Sequence, residues 1–121
     1  MPSELLVAHA GDNVCHLQTI GRRSGRPRTI EVWFATDGTR IFVLAGGRHR
    51  AHWVRNLRVE PRVRVRIGGR TIDGRARVIE GESSEMVARR LLAAKYQGWT
   101  DGAQLSAWAA GSLPVEIVLD D

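Results

Sequence analysis

An antiparallel β-barrel with peripheral helices, mainly β and built as one domain over residues 1–121, is the fold class that this sequence predicts. Three patterns predict it. Short β-rich runs are paired by tight turn signals, Asp37-Gly38 and Gly68-Gly69. Arg62-Val63-Arg64-Val65-Arg66-Ile67 alternates strictly, so one face is apolar and the other carries three arginines. The elements run as strands in hairpins, a short helix, a hairpin, a helix and a final strand, an order that an antiparallel barrel with peripheral helices fits best. About six antiparallel strands are expected.

Residues 1–11 read as a short helix carrying Leu5, Leu6 and His9, or as a frayed arm. Residues 14–20 are strand-like, and 21–28 form a basic loop punctuated by glycine. A β-rich run at 29–36 turns at Asp37-Gly38 and returns at 40–45, where Gly46-Gly47 ends it. Residues 49–58 have helical spacing, with Trp53 and Leu57 four apart, and Pro61 stops the segment. After the alternating arginine strand, 70–80 alternates again through Ile72, Gly74, Ala76 and Val78. Ser83 or Ser84 can cap a helix to about Tyr96, with Glu85 in its first turn and Lys95 near its end. Its apolar face is expected at Val87, Leu91 and Ala94, opposite Met86, Arg90 and Lys95. Residues 98–111, with Trp99 and Trp108, are less regular, and 113–119 is a last strand.

With 121 residues, 43% of them apolar, the chain can hold a core without covalent staples. No apolar run approaches the ~20 residues that a membrane-spanning helix needs. The first residues lack a basic stretch, so no signal peptide is expected. Cys15 is the lone cysteine. It excludes an internal disulfide, suits a reducing cytoplasm, and reads as a buried inert thiol in a strand. The net charge is +5, and Lys95 is the one lysine among eighteen basic residues. Arginine is the better fork for phosphate and carboxylate, so the surface favours an anionic partner.

Hydrolase and metal chemistry find little support. No serine stands in a GxSxG elbow. His49 and His52 are three apart, a spacing that suits a metal pair, but no third ligand has a place, so no metal is expected. The loop is more telling: Gly21-Arg22-Arg23-Ser24-Gly25-Arg26-Pro27-Arg28 sets four arginines and two glycines between strands. Glycine lets backbone approach an anion and arginine grips it with two donors, which makes a phosphate site; a solvated basic turn is the plainer reading. Gly25-Arg26-Pro27 also looks like an AT-hook core, but it lies between patterned strands instead of in a tail, and no nucleic acid is expected. Gly46-Gly47, followed by Trp53, Asn56 and Pro61, would let a flat ligand approach bare backbone, with a Cβ at either glycine blocking it or forbidding the φ required. A plain turn before a core tryptophan is the alternative.

In order, the stretches Leu17-Gln18-Thr19-Ile20 with the basic loop, Trp53-Val54-Arg55-Asn56-Leu57 to Val63, Gly68-Gly69-Arg70, Ala93-Ala94-Lys95-Tyr96-Gln97-Gly98-Trp99 and Leu113-Pro114-Val115 cover most of the chain. Together they resemble the deazaflavin (F420)-dependent nitroreductase and quinone reductase family. The resemblance implies a split β-barrel of the FMN-binding type and an oxidoreductase that moves a hydride from reduced F420 to a small hydrophobic acceptor of quinone, nitro or enone type. It implies that Arg22, Arg23, Ser24, Gly25 and Arg28 hold the cofactor's phosphate and anionic tail. Val32, Trp33 and Phe34 would lie against the ring, Leu44, Ala45, Gly46 and Gly47 would meet its polar edge, and Trp53 and Asn56 would support that wall. The family's serine or lysine before the glycine pair is replaced by Leu44-Ala45, and Ala51-His52 stand where a proline is frequent. Trp33, Tyr96, Trp99 and Trp108 are candidates to stack the acceptor, and Tyr96 is the candidate proton donor or, equally, a helix-end packing residue. Arg62, Arg64 and Arg66 read as a solvated face, or as a groove for the cofactor's tail. FMN is the alternative cofactor, and a non-catalytic carrier of flavin, deazaflavin or tetrapyrrole is the alternative function. A homodimer is the expected assembly.

Overall fold

The computed structural model describes residues 2–121, so Met1, included in the expected first helix, lies outside the described residues. The chain forms α1 (Pro2–His9), β1 (Cys15–Ile20), β2 (Pro27–Val32), β3 (Ala35–Thr36), β4 (Ile41–Ala45), a 3-10 turn (Arg48–Arg50) and α2 (His52–Val59). It continues through β5 (Arg62–Ile67), β6 (Arg70–Val78), α3 (Glu85–Gln97), α4 (Ala107–Gly111) and β7 (Leu113–Leu119). Every strand pair is antiparallel, in the order β2-β1-β5-β6-β7-β4-β3.

That order forces curvature. β2 and β3 are opposite edges of one sheet, yet only Trp33 and Phe34 lie between them. A flat seven-stranded sheet would hold its edges roughly 29 Å apart, whereas a two-residue link reaches about 10 Å. The sheet therefore curls until its edges face each other without pairing, which makes a split β-barrel. The barrel is filled by Leu6, Leu17, Phe34, Ile41, Val43, Val65 and Ile117, among others. All five residues of β4 are buried, because Ile41 and Val43 face the barrel while Phe42 and Leu44 lie under α3 with Ala88 and Leu92. β5 keeps the simple alternation, burying Val63, Val65 and Ile67 and exposing Arg64 and Arg66. Its outer face is solvated and partly ion-paired, Arg62 to Asp120 at 2.9 Å and Arg64 to Asp73 at 2.8 Å.

The seam at Phe34 is latched from α3. The Phe34 amide donates to the Tyr96 hydroxyl at 3.0 Å, and its carbonyl accepts from Lys95 Nζ at 2.9 Å. The Tyr96 hydroxyl in turn lies 2.7 Å from the Asn13 carbonyl and 3.1 Å from that of Phe34, so its single proton is engaged by backbone. Lys95 Nζ also sits 3.8 Å above the Phe34 ring. Burial raises the Tyr96 hydroxyl pKa and lowers that of the Lys95 amine.

Four local expectations are corrected. The strand expected at 29–36 is two strands on opposite edges, Pro27–Val32 and Ala35–Thr36, so the basic loop ends at Arg26 and the strands number seven. α2 begins at His52, since a 3-10 turn takes residues 48–50. The buried face of α3 is Ala88, Arg89, Leu92 and Ala93, while Val87 is exposed. The arc shifts because Arg89 is buried, bonding Glu85 and the carbonyls of Ala109 and Ser112, and its polar character hides the face in the sequence. Ser84 holds the cap position of α3 but its side chain makes no cap bond; the Glu85 carboxylate instead accepts from the Gly81 amide. A short α4 emerges in the irregular 98–111 stretch, capped by Ser106 accepting from the Ala109 amide. Cys15 is buried as expected, and burial pushes its thiol up to about 12.

Removing the latch should loosen the seam. Tyr96→Phe leaves the Phe34 amide without its acceptor, and an orphaned buried donor costs about 1–3 kcal/mol. Urea denaturation should show a loss of that size, while the Trp33 contact with the ring is preserved.

Candidate functional site

The 21–28 loop is built to hold one guanidinium still. Its turn closes through the Gly21 amide to the Arg26 carbonyl and the Gly25 amide to the Gly21 carbonyl, both at 2.8 Å. A Cβ on Gly21 would come 2.7 Å from Ser24 Oγ, and Gly25 has a φ of +71°, so both glycines are required. Ser24 spends its hydroxyl inside the loop, accepting from the Arg26 amide. From α2, the buried Asn56 presents Oδ1 to two donors of Arg22, the backbone amide at 3.2 Å and Nη1 at 2.9 Å. Asn56 is itself oriented by its Nδ2, which donates to the buried Thr19 hydroxyl at 3.3 Å. Arg22 Nη2 lies 3.4 Å from His52 Nδ1. Among the described residues, Arg23 and Arg28 make no ion pair, and both line the cleft.

The cleft beside this loop has a volume of about 800 Å³. Ile30 and Trp53 line it and also a second hollow of about 370 Å³, so the two adjoin there as neighbouring parts of a groove lined by residues 27–33. The first part is cationic, with Arg22, Arg23 and Arg28 on its walls. The second is apolar, walled by Val32, Trp33, Leu44, Ala45, Gly46 and Trp108, with Glu31 its one charged lining residue. The Trp33 ring stacks on Tyr96 at 4.4 Å and 6°, and meets Trp108 edge-on at 5.6 Å and 78°. Trp33 remains 46% exposed, so a flat aromatic surface is left open at this end.

The structure gathers most of the residues singled out above. Arg22, Arg23, Ser24, Arg28, Trp53 and Asn56 line the cationic part, and Val32, Trp33, Leu44, Ala45 and Gly46 the apolar part. Phe34 does not line the groove, because its ring is fully buried in the barrel and its backbone is taken by the latch. Gly25 and Gly47 shape turns beside it. The φ demand expected at the glycine pair falls elsewhere: Gly47 has φ −76°, and Arg48 carries the left-handed φ of 54°. Trp99 stands off the groove, its indole N–H donating to the Ala103 carbonyl. Sequence reading missed Thr19, Ile30 and His52. Thr19 and Ile30 flank the loop on two paired strands, and His52 precedes Trp53 at the start of α2; that adjacency was the available signal.

Fold and groove together define a split-barrel protein with an arginine-lined end and a flat aromatic end. The chain belongs to the family of F420H2-dependent quinone reductases, whose model matches residues 5–120. Among solved structures it is similar to a conserved hypothetical protein of Mycobacterium tuberculosis (TM-score 0.79, 21% identity, all of this chain and 82% of that one). It is also similar to an F420 reductase (0.63, 18%, 96% of this chain and 93% of that one). A third match is HutZ, a heme storage protein of Vibrio cholerae (0.70, 20%, 100% and 92%). At these identities the likeness is one of fold.

Freeing Arg22 should weaken anion binding. With Asn56→Ala the guanidinium must be ordered on binding, a cost of about 0.5–1.5 kcal/mol, or roughly two- to tenfold in affinity. Calorimetric titration with inorganic pyrophosphate measures it.

Proposed function

We propose that this protein is an F420H2-dependent reductase acting on a small, flat, hydrophobic acceptor of quinone, nitro or enone type. The observation that carries the reading is the polarity of the groove. A guanidinium locked by a buried asparagine stands at one end, and an exposed indole stands at the other, in a chain of this family. An elongated cofactor with a phosphate and a flat ring fits that donor set. The loop offers cations to the phosphate and anionic tail through the braced Arg22 and the exposed Arg23 and Arg28, with Ser24 and Gly25 shaping the turn. Val32, Trp33, Leu44, Ala45 and Gly46 offer a dry wall to the ring, and Trp53 and Asn56 brace the junction.

Arg22, Arg23 and Arg28 with the wall from Val32 to Gly46 would hold a reduced deazaflavin, which would bring hydride-transfer chemistry to this groove. The protein's own residues bind, orient and exclude water. Arg22 acts in binding, since it lines only the cationic end of the groove, away from the apolar wall. Trp33 offers its open face to a flat acceptor by stacking, and Trp108, edge-on to it, bounds that end. The Tyr96 hydroxyl acts as a positioning group: it is held by Asn13 and Phe34, its pKa is raised by burial, and its ring carries Trp33. The lone buried Cys15 accords with a cytoplasmic location, and a homodimer is the proposed assembly.

Fluorescence titration tests this reading. Oxidised F420 should bind more tightly than FMN at moderate salt. Arg22→Ala should weaken F420 by roughly ten- to a hundredfold, the cost of a lost charge-assisted contact, with saturated turnover nearly intact. FMN binding about tenfold tighter than F420 would replace the deazaflavin, and retention of F420 without turnover of any acceptor would favour a carrier.

A further inference from the structure

Arg48 is the one non-glycine residue with positive φ among the described residues, at 54°. Two glycines immediately precede it, and either could have adopted that conformation without strain, yet Gly47 is right-handed. The side chain accounts for the choice. Arg48 Nη1 donates to the Gly111 carbonyl at the end of α4, and Nη2 is paired with the Glu80 carboxylate after β6. One strained residue thus ties the turn after β4 to α4 and to the loop leading into α3. Strain held in this way is a pointer to function.

The two elements so joined are facing walls of the apolar hollow. Gly46 stands on the turn and Trp108 on α4, and a Cβ on Gly46 would lie 3.9 Å from Trp108 Cδ1. α4 has only five residues and cannot hold its own place. Its other anchors are the buried Arg89, which reaches the carbonyls of Ala109 and Ser112, and the cap residue Ser106, whose hydroxyl donates to Gln97 Oε1 at 2.7 Å. Trp108 in turn sets the edge-on contact with Trp33.

We propose that Arg48, braced by Glu80, is a positioning residue that sets the width of the acceptor end of the groove through Trp108, and so tunes which flat acceptors enter. This rests on the functional reading above, and it predicts that stability and function separate. Arg48→Gly removes the strap but suits the backbone. The variant should melt at or above the wild-type temperature, and its F420 dissociation constant should rise by less than its menadione KM, because the cationic end is untouched while the ring wall at Gly46 is shared. Its KM for menadione should rise about tenfold, the scale of a lost charge-assisted contact. Arg48→Lys, which can keep one of the two contacts, should fall between. The near-ultraviolet circular dichroism of the cofactor-free protein should lose part of its tryptophan signal as Trp108 moves from Trp33. That readout needs no cofactor, so wild-type protein that ignores F420 would sink the functional reading while the strap is still tested. If Arg48→Gly fails to fold, Glu80→Gln releases one end of the strap with the backbone intact, and should raise the menadione KM in the same direction. An unchanged KM with an unchanged tryptophan spectrum overturns the proposal, as does a melting temperature that falls in step with rising KM and F420 dissociation constants.

Discussion

Two residues, Trp33 and Phe34, carry the chain from one edge of a seven-stranded sheet to the other, and the rest of the molecule is arranged around that short link. The link is too short for anything but a curled sheet, so it dictates the barrel. It also leaves a backbone unit that no strand can pair, and an unpaired buried amide is costly. Tyr96 and Lys95 on α3 meet that demand from outside the sheet. The same link leaves β2 with a free edge and turns Trp33 outward against Tyr96, and the groove lined by residues 27–33 runs to that ring. Closure of the fold and formation of the site are thus one geometric event.

Along the groove, chemistry is divided by burial. The cationic end depends on a buried polar chain, Thr19 to Asn56 to Arg22, which orders a guanidinium before any ligand arrives. Preorganisation of this kind reduces the entropy lost on binding. The apolar end depends on arginines of a different sort. Arg89 and Arg48 face inward or sideways to fasten α4, so two residues that look like surface charge determine where a tryptophan stands. In an arginine-rich chain, the function of a given arginine is decided by what its carbonyl and carboxylate partners are, since the residue type itself carries little information.

This explains what was legible in the sequence. The alternation of 62–67, the Asp37-Gly38 and Gly68-Gly69 turns and the phosphate-loop pattern are local signals, and they appear in the structure as hairpins and a braced loop. The division of 29–36 between two sheet edges was not legible, because both pieces are locally extended and only the tertiary ladder separates them. The face of α3 was misread since Arg89 counts as polar until its three acceptors are seen. Gly46-Gly47 promised an unusual backbone, and the unusual residue is the arginine beside them. The loop residues that the family motifs name line the groove, whereas Phe34 does not, because backbone bonding to residues over sixty positions away holds its ring in the barrel.

The central claim is that one groove, from the Gly21–Arg28 loop to the Trp33 seam, receives the cofactor. Amide chemical shifts of the labelled protein, followed during titration with F420, test it most directly. The account predicts shifts that cluster at residues 21–28, at Val32 and Trp33, and at Gly46, with Trp33 and Trp108 indole signals moving in the same titration. Shifts centred on the outer face of β5, at Arg62, Arg64 and Arg66, with the loop and seam unmoved, would contradict it.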